Sequence, residues 1–166
     1  MSGPTLPTTI ESARIVICDW VKTVLPSRAV ILQNFGEMAK PNSPFVSVFI
    51  NASEVPNGRV LTLSDDGLTQ TVSTLLKLNV TFDILGGEAF DDMARLRNSI
   101  YSTDRFRDVF LTLGYGGAEA LTDLTFLETG HLKPRVQMIM TFYARVNSDF
   151  ASDYYASLPV TLEREA

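Results

Sequence analysis

This 166-residue sequence predicts an α+β fold: one mostly antiparallel sheet with helices packed on one face, plus a protruding β-hairpin and terminal arms. Three features carry that expectation. Leu76, Leu78, Val80, Phe82 and Ile84 alternate with Lys77, Asn79, Thr81 and Asp83, the period of two that gives a strand one buried face. Arg135 to Asn147 alternates in the same way, with Val136, Met138, Met140, Phe142, Ala144 and Val146 on one side. Between the two, Gly86-Gly87 breaks the chain, and Ala89, Met93, Leu96 and Ile100 follow at helical spacing. A helix there returns over the apolar face of the first strand, which defines an α+β layer pair.

Taken in order, residues 1–7 hold two prolines and a glycine and read as a flexible arm. Residues 8–149 form the single domain and 150–166 a C-terminal arm, with a short strand around Val160. Thr8 and Glu11 have capping-box spacing. The helix they open carries Ile10, Ala13, Ile17, Trp20, Val21 and Val24 on one face, with Trp20 as a core anchor, and Pro26 ends it. Ala29 to Leu32 is a short strand, 34–44 a loop, and Phe45 to Ser53 the next strand. Its second face carries Phe45 and Phe49, so something must cover that face.

Val55-Pro56-Asn57-Gly58 reads as a turn, Arg59 to Leu63 as a strand, and Ser64 to Gly67 as a second turn. The strand from Thr69 to Ile84 would span about 50 Å. A domain of this size is only ~30–40 Å across. Thr69 to Thr74, paired with Arg59 to Leu63, therefore protrudes as an arm, or else the strand is bent.

After the first returning helix, Ser102 and Thr103 cap a second over Asp104 to Leu113, with Phe106, Val109, Phe110 and Leu113 inward. Gly114 to Gly117 reads as a break, Ala118 to Leu127 as a weakly alternating strand, and Glu128 to Pro134 as a turn.

The residues argue against most chemistry. The net charge is -5, with no basic excess for clamping phosphates. Cys18, the one cysteine, sits in an apolar helical pattern and reads as a small buried hydrophobe. No basic segment followed by an apolar run opens the chain, and no run approaches the ~20 apolar residues of a membrane span. The single histidine, His131, lies in a Gly-His-Leu-Lys turn without the parts of a catalytic triad. One His and one Cys leave no metal set. Gly86-Gly87 sits where a nucleotide loop would, but no Gly-Lys-Ser follows, and Glu88, Asp91 and Asp92 at the helix start would repel phosphate. The expectation is an interaction module with no catalytic residue and no cofactor. Long strands and arms let ring subunits reach their neighbours by strand addition.

Specific segments sharpen this. Trp20-Val-Lys-Thr-Val-Leu-Pro26 precedes a short strand with Gln33-Asn34, and Pro44-Phe-Val-Ser-Val-Phe-Ile50 follows. Leu78-Asn-Val-Thr-Phe-Asp-Ile-Leu-Gly86 leads to Glu88-Ala89 and Leu96-Arg97; Lys133-Pro-Arg135 opens a strand to Tyr143-Ala-Arg-Val146. From Ile10 to Val146 this order resembles the tail terminator, or neck terminator, proteins of tailed bacteriophages. The resemblance implies a hexameric homo-oligomeric ring in the virion, at the head–tail junction, assembled in the host cytoplasm. It also implies that the ring caps the tail tube protein, ends its polymerisation, joins a neck or connector protein, and lets DNA through the lumen without specific binding. The hairpin from Asn51 to Gln70 and the chain after Asp149 depart from the pattern, which would suit contact with a tail sheath protein. A lumen that conducts DNA should repel it, which makes Asp65, Asp66, Glu88, Asp91 and Asp92 lumen-facing candidates. Phe49, Arg59, Leu61, Thr69, Thr71, Tyr154 and Tyr155 are the intersubunit candidates. The alternatives are another neck or head-completion ring, a tube component, a nucleotide-binding module or enzyme, and a monomeric adaptor.

Overall fold

A computed structural model describes residues 10–32, 44–64, 69–102, 106, 109, 111–128 and 131–151. Its core is built on β3 (Thr69–Leu85), where Leu78, Val80, Phe82 and Ile84 are fully buried. On one side β3 pairs antiparallel with β2 (Phe45–Leu63), and on the other with β8 (Arg135–Ala151). β1 (Ala29–Leu32) adds to β2 in parallel; β4 (Gly114–Ala118) and β5 (Thr122–Asp123) add to β8. The result is a six-stranded sheet ordered β1-β2-β3-β8-β4, mostly antiparallel, as the alternation predicts.

Helix α1 (Ile10–Val24) lays Ala13, Ile17, Trp20, Val21 and Val24 on this sheet. Helix α2 (Ala89–Asn98) adds Ala89, Met93 and Leu96 and runs into a single 3-10 turn, Ser99–Tyr101. Trp20 is the expected anchor. Its ring meets Phe82 edge-on at 5.7 Å and Phe106 at 4.9 Å. Its Nε1 donates to Ser99 Oγ at 3.1 Å, which satisfies the indole in a buried position.

Arg28 joins the layers. Its Nε donates to Asp92 Oδ2 at 2.6 Å, and its Nη1 and Nη2 donate to the carbonyls of Leu85 and Gly86 at 3.0 and 2.9 Å. The turn after α1, the end of β3 and the first turn of α2 are thus held by one guanidinium. Gly86 and Gly87 have φ of +77° and +57°, which suits glycine, and a Cβ on Gly87 would lie 3.2 Å from Arg28 Nη2.

The structure corrects four local expectations. Val55 to Gly58 does not reverse the chain. Glu54 is opposite Leu76 and Arg59 is opposite Thr74, so residues 55–58 bulge out of one continuous strand, with Asn57 at φ +59°. Gly114 to Gly117 is a strand on β8, not a break. A Cβ on Gly116 would lie 2.8 Å from the Tyr143 ring, so glycine lets that side chain lie over the neighbouring backbone. The stretch expected to be a turn at 128–134 contributes instead to a small hairpin, β6 (Phe126–Glu128) with β7 (His131–Lys133), and His131 is a strand residue. The weak strand over 118–127 resolves into the end of β4, then β5 and β6.

Phe45 and Ser47 are buried on the helix-free face of the sheet and Phe49 is half-buried, so that end is covered, as two phenylalanines there require. Phe106 and Val109 are helical and, with Leu113, buried as expected. The cap at Thr8, the arm over 1–7, most of the loop over 34–44, Phe110 and the strand around Val160 lie outside the described residues.

Candidate assembly interface

Beyond the helix layer the sheet continues as an arm. It was expected as a hairpin and has three strands: residues 59–63 of β2, 69–74 of β3 and 146–151 of β8. β8 therefore runs two residues into the stretch assigned to a C-terminal arm. The hairpin closes where Ser64 N donates to the Thr69 carbonyl and Thr69 N to Ser64 Oγ, both at 2.9 Å.

Pairing sorts the arm's side chains by face. Leu61 and Leu63 lie opposite Val72 and Gln70, which lie opposite Ser148 and Phe150. These share the face that carries the core and helices further along. Leu61, Leu63 and Phe150 are 53%, 43% and 54% exposed. The other face carries exposed Val60 but is otherwise polar: Thr71 Oγ1 donates to Asp149 Oδ1 at 2.7 Å, and Ser73 Oγ to Asn147 Oδ1 at 2.8 Å. Where arm meets body, Arg59 clasps Glu54 across the bulge, Nε to Oε1 at 2.6 Å and Nη2 to Oε2 at 2.9 Å. Hydrogen bonding to Glu54 pushes the Arg59 guanidinium up from its ordinary range.

The intersubunit candidates Arg59, Leu61, Thr69 and Thr71 are thus together on the arm. Leu61 is exposed, whereas Thr71 and Arg59 are engaged within the chain. Phe49 is on the body, and Tyr154 and Tyr155 lie outside the described residues. Val60, Leu63 and Phe150 were not singled out from the sequence, although an exposed Leu63 follows from the arm's length.

The three acidic candidates within the described residues differ in setting. Glu88 and Asp91 are exposed at the start of α2, beside a shallow cleft of about 150 Å³ that Phe90, Asp123 and Pro134 also line. Asp92 is turned inward to Arg28. Asp65 and Asp66 lie outside the described residues.

Little else suggests chemistry. Cys18, expected as a buried hydrophobe, is only half-buried, and burial pushes its thiol up, away from the reactive thiolate. Among the described residues no group of three or more His, Cys, Asp or Glu is placed to hold a metal ion, and no helix is long and apolar enough to cross a membrane.

Among the described residues the arm presents strand edges and exposed aliphatic side chains to solvent. The phage neck terminator protein family matches residues 14–163, and this chain belongs to it, a family of structural tail components. The fold is similar to that of the sheath/tube terminator of PVC, an extracellular contractile injection system, in its extended state. The TM-score is 0.55 with 12% identity, over 95% of this chain and 64% of that one. This chain therefore spans a little under two thirds of that protein. No match was found among curated proteins.

Proposed function

We propose that copies of this chain form a hexameric ring that caps the tail tube, ends its polymerisation and joins the tail to the neck or connector protein, with DNA passing through the lumen. The domain assigned to residues 8–149 takes in β8 through Ala151 and acts as one assembling unit, with the tail sheath as a further partner. The ring transforms no molecule and sits at the head–tail junction of the virion. The observation that carries this reading is the three-stranded arm, which leaves Val60, Leu61, Leu63 and Phe150 exposed. A lone chain would gain nothing from displaying them, and such a surface invites association.

The test is tube growth in vitro. Added in small amounts to polymerising tube protein, the chain is expected to shorten the tubes and to appear as a single ring at one end. A Leu61→Asp/Leu63→Asp variant, folded by circular dichroism, is expected to lose at least ten-fold in capping. Indefinite stacking of the chain by itself would mark a tube component, and unchanged tube growth would end the proposal.

Exposed Glu88 and Asp91 are the acidic residues proposed to face the DNA path at one mouth, since the charge of Asp92 is already matched by Arg28. Glu88→Lys/Asp91→Lys particles are expected to eject DNA several-fold more slowly, with the difference shrinking as salt rises. Ejection at the ordinary rate would remove these two residues from the channel.

A further inference from the structure

We infer that neighbouring copies join edge to edge through the arm, the 59–63 segment of β2 in one copy hydrogen-bonding in parallel with the 146–151 segment of β8 in the next. The inference rests on the ring reading above and specifies its seam.

Both edges are open among the described strands. β1 pairs with β2 only over Phe45–Val48, and β4 and β5 pair with β8 only between Val136 and Tyr143. Exposed edges are ordinarily blunted by lysine, proline or inward charge. Arg59-Val-Leu-Thr-Leu63 has one charge, and that charge is bound to Glu54. On the β8 edge Asp149 is engaged by Thr71.

Strand direction decides how identical copies can meet. β2 and β8 both run antiparallel to β3, so they run the same way. A twofold dimer would pair like edges antiparallel, β2 with β2 or β8 with β8, and leave the other edge open. A rotation that closes a ring repeats one contact head to tail, which sets unlike edges together in parallel.

Side-chain rows suit a second copy as the occupant. Leu63, Gln70 and Phe150 form one row and Leu61, Val72 and Ser148 the next. Within one chain Gln70 separates Leu63 from Phe150. Across the seam Phe150 of one copy reaches the level of Leu63 in the next, and the apolar band closes.

The test uses full-length protein carrying Cys18→Ser, with cysteines on the same face of the two edges. Leu61→Cys/Ser148→Cys samples one register, and Leu63→Cys/Ser148→Cys samples the register one step away. Oxidised and run without reductant, one of the double variants is expected to give a ladder up to the ring number. The single variants are expected to stay monomeric, and a mixture of the two singles of that pair is expected to stop at dimer. Dimers from a single-cysteine chain would show a twofold contact and overturn the inference. So would rings seen by light scattering with no ladder from either pair, and in that case the ring reading would survive. No ring by light scattering, with or without tail tube, would remove both.

Discussion

Arg28→Ala is expected to lower the unfolding free energy by roughly 3–5 kcal/mol, the cost of leaving one member of a buried ion pair alone. The Arg28 side chain is 4% exposed and that of Asp92 20%, so little solvent reaches either charge. Truncation strands the Asp92 carboxylate and also removes the donors to the carbonyls of Leu85 and Gly86. Three elements would lose their common tie at once. Arg28→Lys tests the geometry separately, because an ammonium keeps the charge but cannot fork to three acceptors in fixed directions. It should fall between wild type and alanine. Urea unfolding measures both, and a loss below about 1 kcal/mol for Arg28→Ala would show the contact to be replaceable.

Phe82→Ala should cost about as much, roughly 3–5 kcal/mol, for a different reason. Phe82 is fully buried at the centre of β3 and supports the Trp20 ring edge-on. Trp20 in turn packs on Phe106, and Phe106 on Tyr115 at 6.0 Å, so the cavity opens where both helical segments meet the sheet. Phe82→Leu fills most of the space and is expected to lose less. At roughly 2–4 °C per kcal/mol for a domain of this size, the alanine variant should melt about 6–20 °C earlier. Near-ultraviolet circular dichroism of Trp20 should weaken with it. An unchanged melting temperature would mean that the core closes over the gap.

The sheet and both helices were legible because a half-buried strand or helix writes its period into neighbouring residues. Leu78 to Ile84 and Val136 to Ala144 show this, and even the protruding arm followed from strand length set against domain size. What failed locally depended on distant partners. Val55-Pro56-Asn57-Gly58 has turn chemistry, and Asn57 uses it, but whether the chain reverses is decided by β3, which pairs on both sides of it. Gly114 to Gly117 looks like a break until Tyr143 is seen to lie over Gly116. Arg28 carries no local signature, since its three acceptors are 57 to 64 residues away. Asp92 is legible as a helix-start acid but not as that arginine's partner. The arm's third strand was hidden because Ser148 and Asp149 interrupt the alternation of β8.

The bulge has an effect on phase. Ahead of it, even-numbered residues of β2 look toward the helices: Val46, Val48 and Ile50. Past it, odd-numbered ones do: Leu61 and Leu63. Four residues set against one, Leu75, shift the reading frame of the strand by an odd step. A straight β2 of equal length would show Val60 and Thr62 there and turn the leucines to the opposite side. The Glu54–Arg59 clasp thus guards a frameshift, which lets one strand carry two hydrophobic patterns that are out of step with each other.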